Sequence, residues 1–264
     1  GAFAFVLMTR HCIMAARDRL GFRPLAMGRM GEATVFASET CALKQIGAEY
    51  VREVQPGELI VVDQTGVHSS TFADPPPDHL AQCVFEMVYF ARPDSTIFGR
   101  NVHQVRLEYG RCLAREHPVE ADIVIAVPDS GNSAALGFSR GSGIPLDYGF
   151  IRNHYVVVDD SIVRGTTARR RVASLRKAGA QEVHVRISCP PVRHPCFYGI
   201  DFPTRSELMA SKHDVDTIRR FIGADTLGYL SVEGLLSPFV RRDDFCTACF
   251  TGRYPTDVRH MGGK

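Results

Sequence analysis

A chain of 264 residues, 45% apolar and 23% charged, can bury one large core or two moderate ones and is no disordered tract. Its 31 Lys and Arg against 29 Asp and Glu leave a formal charge of +2, which excludes a strongly basic arm and gives no compositional reason to expect nucleic acid as a partner. No apolar run reaches bilayer-spanning length and the opening GAFAFVLMTR carries no secretory leader pattern, so a soluble cytoplasmic protein with no membrane partner is expected.

From the amino end to about Thr71, short apolar runs (FAFVLM, IMAA, FRPLAM, ATVFAS and ELIVVD) alternate with Gly and Pro, the pattern of strands. SETCALKQIG predicts one helix there, with Ser38 as its N-cap. Asp74-Pro75-Pro76-Pro77-Asp78 disfavours both helix and central strand and marks a domain boundary. Beyond it the rhythm changes. RLEYGRCLAREH predicts a helix, and ADIVIAV, from Ala121 to Val127, a strand buried on both faces. The turn Pro128-Asp129-Ser130-Gly131 leads into the helical NSAALGFSRGSG. A second apolar run, Tyr155 to Val158, ends in Asp159-Asp160-Ser161 and a loop through Thr167; ARRRVASLRKAGA then predicts a helix stopped at Gly179 and EVHVRIS another strand. Strand, loop, helix, strand is the grammar of a parallel sheet. DVDTIRRFIG adds a short helix, and the last residues predict a weakly structured tail.

Parallel sheets place ligands beyond the carboxyl ends of their strands. Asp159 and Asp160 at such an end can hold ribose hydroxyls or a magnesium-bound sugar. The Ser, Gly and Thr residues that follow, with free helix N–H groups, suit a phosphate. Asp129, Ser130 and Gly131 occupy the matching place after the previous strand. The plain alternative is that these are turn and cap residues. Neither a nucleoside-triphosphatase loop nor a dinucleotide fingerprint is present. The eight cysteines include one CxxC pair, Cys246 and Cys249, whose spacing alone permits a redox dithiol, zinc, an iron–sulfur cluster or no site.

VVVDDSIVRGTT, from Val156 to Thr167, resembles the ribose-5-phosphate loop of the type I phosphoribosyltransferases, in the wording of the glutamine phosphoribosylpyrophosphate amidotransferases. The resemblance continues in order along nearly the whole chain: Gly1 to Thr9, Arg17 to Leu25, Phe36 to Leu43, Phe85 to Ser95, Pro128 to Gly131, Ser142 to Pro145, Lys177 to Ile187, Phe197 to Asp201, Ile222 to Asp225 and Cys246 to Pro255. It implies an α/β phosphoribosyltransferase fold with a parallel sheet, preceded by part of an α+β N-terminal-nucleophile glutaminase domain. The divisions expected are 1–72 for the later part of the glutaminase domain, 73–84 for a linker, 85–236 for the phosphoribosyltransferase domain and 237–264 for a cysteine-bearing tail.

The activity implied is transfer of glutamine-derived ammonia to phosphoribosyl pyrophosphate (PRPP), giving 5-phosphoribosylamine, pyrophosphate and glutamate, the committed step of purine synthesis. Asp159 and Asp160 would address the ribose hydroxyls, and Ser161, Ile162, Val163, Arg164, Gly165, Thr166 and Thr167 would cradle the 5-phosphate. Asp129, Ser130 and Gly131 would face the pyrophosphate, and Arg152 would add a positive charge beside it. Mg²⁺ would sit on Ser130, Asp159 and Asp160, and Cys83, Cys196, Cys246 and Cys249 match the thiolates of a [4Fe–4S] cluster in one branch of the family. Purine nucleotides as inhibitors and a homotetramer are implied with them.

Two family features have no counterpart in this sequence: the amino-terminal nucleophilic cysteine, and a long segment after Tyr155 that folds over the substrate. Cys12 and Cys41 are expected as buried structural cysteines, Arg17 and Glu39 as structural pairing residues, and Tyr89, Phe90 and Phe98 as core. Arg169, Arg170 and Arg171 are expected on a solvated helix face, and His154, where the family usually carries Arg, beside the pyrophosphate. A sensor of nucleotide or PRPP that keeps the fold without catalysis is the alternative to the enzyme.

Overall fold

The computed structural model describes residues 1–73, 79–147, 154–202 and 204–258. The Pro-rich segment 74–78 and Arg152 lie outside these residues. Strands β1 (Ala4–Met8), β2 (Ile13–Arg17), β3 (Ala26–Met30) and β4 (Ala33–Ala37) precede helix α1 (Thr40–Gln45), followed by β5 (Glu49–Glu53), β6 (Glu58–Asp63) and β7 (Gly66–Thr71). They form two antiparallel sheets, ordered β1-β2-β6-β7 and β4-β3-β5. Ala15, Leu25, Met27, Val54 and Ile60 form a buried apolar cluster between them, while α1 covers the smaller sheet through Leu43, packed on Ala26 and Ala48. A side chain at Gly28 would lie 2.8 Å from the Glu49 carbonyl and 2.9 Å from Leu43, so only glycine admits that contact. The pattern reading misses β5 and β7, whose sequences EYVRE and GVHSST are largely exposed and lack an apolar face. Helix α1 starts after Glu39 rather than Ser38, without a side-chain cap.

The second half is built on four parallel strands, β11 (Ile123–Ala126), β12 (His154–Asp159), β13 (Glu182–Ile187) and β14 (Thr226–Tyr229), adjacent in chain order. Before them come the short strands β8 (Gln82–Cys83), β9 (Thr96–Ile97) and β10 (Arg100–Asn101), with a π-helical turn at Glu86–Phe90. Between and after them run α2 (Val102–Glu116), α3 (Gly131–Ser142), α4 (Thr166–Lys177), α5 (Met209–Lys212), α6 (Val215–Ile222) and α7 (Val232–Leu236). Caps set the ends: Asn101 accepts the Gln104 N–H at 3.1 Å, Asp214 accepts that of Thr217 at 2.8 Å, and Gly223 closes α6 at φ +78°. Helices α2 and α3 cross at glycines. A side chain on Gly110 would lie 1.9 Å from the Ala134 carbonyl, and one on Gly137 2.0 Å from that of Leu107.

The two halves meet at Phe22, which joins the main core of the second half. Phe22, fully buried, stacks on Tyr198 with ring centroids 4.1 Å apart, and Arg23 pairs with Glu86. The carboxyl-terminal residues through Val258 are structured where a loose tail is expected: β15 (Phe245–Cys246) pairs with β8, α8 (Ala248–Thr251) follows, and Phe239, Cys249 and Phe250 join the main core. Their apolar side chains are spaced too irregularly for a periodic signal. Among the described residues no helix is long and apolar enough to cross a membrane.

Candidate active site

Strands β11 and β12 lie side by side, with Ala126 opposite Val158, so the residues leaving their carboxyl ends meet. After β11 the chain turns through Pro128, Asp129 and Ser130 into α3; after β12 it runs through Asp159 to Gly165 into α4. A cavity of about 940 Å³ opens between the two turns. Its walls include Asp129, Ser130, Asp159, Asp160, Ser161, Ile162, Val163, Arg164, Gly165, Thr166 and Thr167. Gly131 is not among them. Its role is packing, because a side chain there would lie 2.8 Å from the Val158 carbonyl.

The acid pair is held from both turns. Asp160 is buried, and its carboxylate accepts the Ser130 hydroxyl and the Ser161 hydroxyl, each at 2.7 Å. Asp159, also buried, accepts the Asp160 N–H on Oδ1 at 2.9 Å and a guanidinium N–H of Arg171 on Oδ2 at 2.6 Å. Burial, then the neighbouring Asp160 charge, raises the Asp159 carboxyl above its ordinary value, against the pull of Arg171. Gly165 sits at φ +74° and directs the chain into α4, whose first turn has no side-chain cap. Such a helix start leaves N–H groups free for an anion. Within the loop Ile162 is buried and the Val163 carbonyl accepts the Met209 N–H at 2.9 Å. Arg164 turns away to Glu207 at 2.9 Å.

The geometry departs from the sequence reading at several residues. Tyr89 and Phe90 are 50% and 43% exposed and wall the cavity rather than filling the core. His154 stands at the amino end of β12, the opposite end from Asp159, with its backbone N–H on Asp122, so it does not border the cavity. Arg171 turns inward, whereas Arg169 lies over the Phe221 ring at 5.1 Å. The signal for Arg171 was present: with Ala168, Val172 and Leu175, all buried, it falls on the helical i, i+3, i+4, i+7 stripe of α4. Buried Arg106, which also borders the cavity, was missed; it donates to the carbonyls of Met87 and Ala91 at 2.7 and 2.8 Å and fixes the π-helical turn. Arg17 and Glu39 are structural: Arg17 bonds Glu53 and the Val54 carbonyl, and Glu39 accepts the Arg92 N–H and the Ser95 hydroxyl. Cys41 is buried, but Cys12 is only partly so. Tyr155 and Val156 are successive residues of the unbroken β12, so no segment leaves the strand there.

The expected iron–sulfur site is corrected. Among the described residues no three His, Cys, Asp or Glu side chains are grouped so as to hold a metal ion, which overturns the [4Fe–4S] assignment to Cys83, Cys196, Cys246 and Cys249. The β8–β15 pairing does set Cys83, buried, opposite Cys246, which is partly buried. Burial pushes the Cys246 thiol up to about 11 and raises those of Cys83 and Cys249 above the ordinary thiol value. Ser130, Asp159 and Asp160, the residues expected at Mg²⁺, are hydrogen-bonded to one another and to Arg171.

A family model for a glutamine amidotransferase domain matches residues 1–45. The chain is 48% identical to the amidophosphoribosyltransferase of Bacillus subtilis over 296 aligned positions, which take in 98% of this chain and 62% of the relative. The enzyme of that name from Methanothermobacter thermautotrophicus is 44% identical, covering 98% of this chain and 61% of the relative; a chloroplastic one from Glycine max is 45% identical, covering 100% and 52%. A solved structure, glutamine PRPP amidotransferase from B. subtilis complexed with ADP and GMP, superposes with a TM-score of 0.91 at 47% identity, covering 98% of this chain and 65% of that one. The chain thus spans between half and two thirds of the length of these relatives, and the B. subtilis alignment is longer than the chain itself.

Proposed function

We propose that this chain, which resembles the amidophosphoribosyltransferases and carries a glutamine amidotransferase portion ahead of a parallel-sheet phosphoribosyltransferase core, performs the phosphoribosyl-transfer half of their activity. The observation that supports this most is the acid pair Asp159-Asp160, joined through Ser130 to the neighbouring turn, at the mouth of a helix start. Asp159 and Asp160 accept the ribose hydroxyls. The loop from Ser161 to Thr167 and the first turn of α4 take the 5-phosphate, and Asp129 and Ser130 border the pyrophosphate.

Ammonia attacks C1 of PRPP as the bond from C1 to the pyrophosphate oxygen breaks; the new amine loses one proton, and the products are 5-phosphoribosylamine and pyrophosphate. Positive character develops at C1, so the buried carboxylates beside the ribose favour the transition state. Fixing the sugar at three points supplies the alignment. Magnesium is read as travelling with the pyrophosphate, which it would neutralise as a leaving group. Asp159 and Asp160, with lone pairs to spare, are the residues that could touch it. Glutamine is proposed as the ammonia source, purine nucleotides as inhibitors, and a homotetramer in the cytoplasm as the working form.

The decisive experiment measures pyrophosphate release from PRPP with ammonia, alongside calorimetric PRPP binding. Binding with turnover supports the reading, and no binding refutes it. Binding without turnover favours the sensor.

A further inference from the structure

We infer that Arg171 is a positioning residue for the ribose-binding acid Asp159, an inference that rests on the phosphoribosyl reading of the site. The side chain rises from the second turn of α4 and is 39% exposed, yet its guanidinium donates to Asp159 Oδ2 at 2.6 Å, while the Asp160 N–H holds Oδ1 at 2.9 Å. One bond on each oxygen fixes the carboxylate plane. Each oxygen keeps acceptor capacity, so a sugar hydroxyl can add to the arrangement without displacing Arg171.

The surroundings explain why a cation is needed there. Asp159 and Asp160 are adjacent buried carboxylates, and Asp160 is bonded to neutral hydroxyls from Ser130 and Ser161. Arg171 supplies the compensating charge by a charge-assisted hydrogen bond, the strong kind. It also borders a second cavity, of about 880 Å³, walled by Ile125, Leu136, Val157 and Leu175. Arg171 thus borders both cavities, where a shorter or neutral side chain would leave Asp159 free to rotate. The effect is local to the ribose. The 5-phosphate cradle from Ser161 to Thr167 uses backbone and hydroxyl groups that Arg171 does not contact.

The test compares two ligands on the full chain by calorimetry: ribose 5-phosphate, which needs the acid pair, and inorganic phosphate, which needs only the cradle. In Arg171→Met the affinity for ribose 5-phosphate should fall roughly 10-fold or more, while that for inorganic phosphate stays within about twofold. Arg171→Lys, which keeps the charge, should recover most of the loss. Equal loss for both ligands would mean that Arg171 merely seats α4, and unchanged affinity for both would mean that it does nothing for the site; either result overturns the inference. Failure of the unaltered protein to bind ribose 5-phosphate would overturn it together with the phosphoribosyl reading.

Discussion

Replacing Gly110 by alanine probes the crossing of α2 and α3, which places the turn carrying Ser130. The added methyl would lie 1.9 Å from the Ala134 carbonyl oxygen and 2.6 Å from the Phe138 nitrogen, where ordinary contact begins at 3.4 Å. Both are backbone atoms, so no rotamer change relieves the clash and α3 must move by more than an ångström. Alanine in a helix interior stabilises by up to about 1 kcal/mol relative to glycine. Overpacking a tight core contact costs typically about 1–3 kcal/mol, and a rigid backbone clash belongs at the upper end. The net expectation is about 2 kcal/mol of destabilisation. With a urea m-value of roughly 2–3 kcal/mol/M, the unfolding midpoint should fall by roughly 0.7–1 M. Because α3 begins at Gly131, its shift should also stretch the 2.7 Å bond from Ser130 to Asp160 and weaken PRPP binding. Gly141→Ala serves as the comparison. Its methyl would meet Ala114 Cβ at 3.2 Å and Arg111 Cα at 3.3 Å, a contact that a small adjustment absorbs, so its midpoint should stay near that of the unaltered protein. A Gly110→Ala protein as stable as the original would refute the packing argument.

Asp159→Asn and Asp160→Asn should each abolish ammonia-dependent pyrophosphate release, losing at least about 100-fold, since each removes a buried charge aimed at the sugar. Full rates in both variants would reject the site. Phe22→Ala removes a fully buried ring stacked on Tyr198 and should cost about 3–5 kcal/mol, read as a lowered thermal midpoint. Cys12→Ala should shift stability by no more than about 0.5 kcal/mol, because its sulfur is only partly buried and its hydrogen-bond partner is the exposed Thr9 hydroxyl. Glu58 predicts a pH dependence. Burial pushes its carboxyl up, but hydrogen bonds from Arg52, Ser69 and the Gln55 N–H outweigh that and hold it at about 2. A depressed carboxyl stabilises the fold above its ordinary value of 4.5, and the contribution is lost as pH falls toward 2. Thermal melts of the original and Glu58→Gln proteins should therefore converge over that window. Parallel curves would remove Glu58 from the account.

The strands with near-continuous apolar sequence, β11 and β12, were legible because burial on both faces leaves such a run, and β13, EVHVRI, because its Val and Ile alternate with polar residues. Their order of strand, acidic turn and helix was enough to put Asp129, Ser130 and the stretch from Asp159 to Thr167 at one sheet edge. Such turns must lie at strand ends, and strands of one parallel sheet end on the same side. The exposed β5 and β7 escaped because a strand facing solvent has no apolar period to read. Tyr89 and Phe90 read as core since aromatic residues usually are; only the three-dimensional arrangement shows them beside a cavity. The cysteines show the same limit: spacing brought Cys246 and Cys249 to attention, and the family resemblance Cys83 and Cys196, but whether sulfurs converge on a metal depends on side-chain direction and burial, which chain order does not specify. Arg171 lies between the two cases. Its place on the buried stripe of α4 was written in the sequence, whereas its partner Asp159, twelve residues away, is brought to it only by the packing of α4 against the sheet. Local periodicity fixes which face a residue occupies; tertiary packing decides what that face meets.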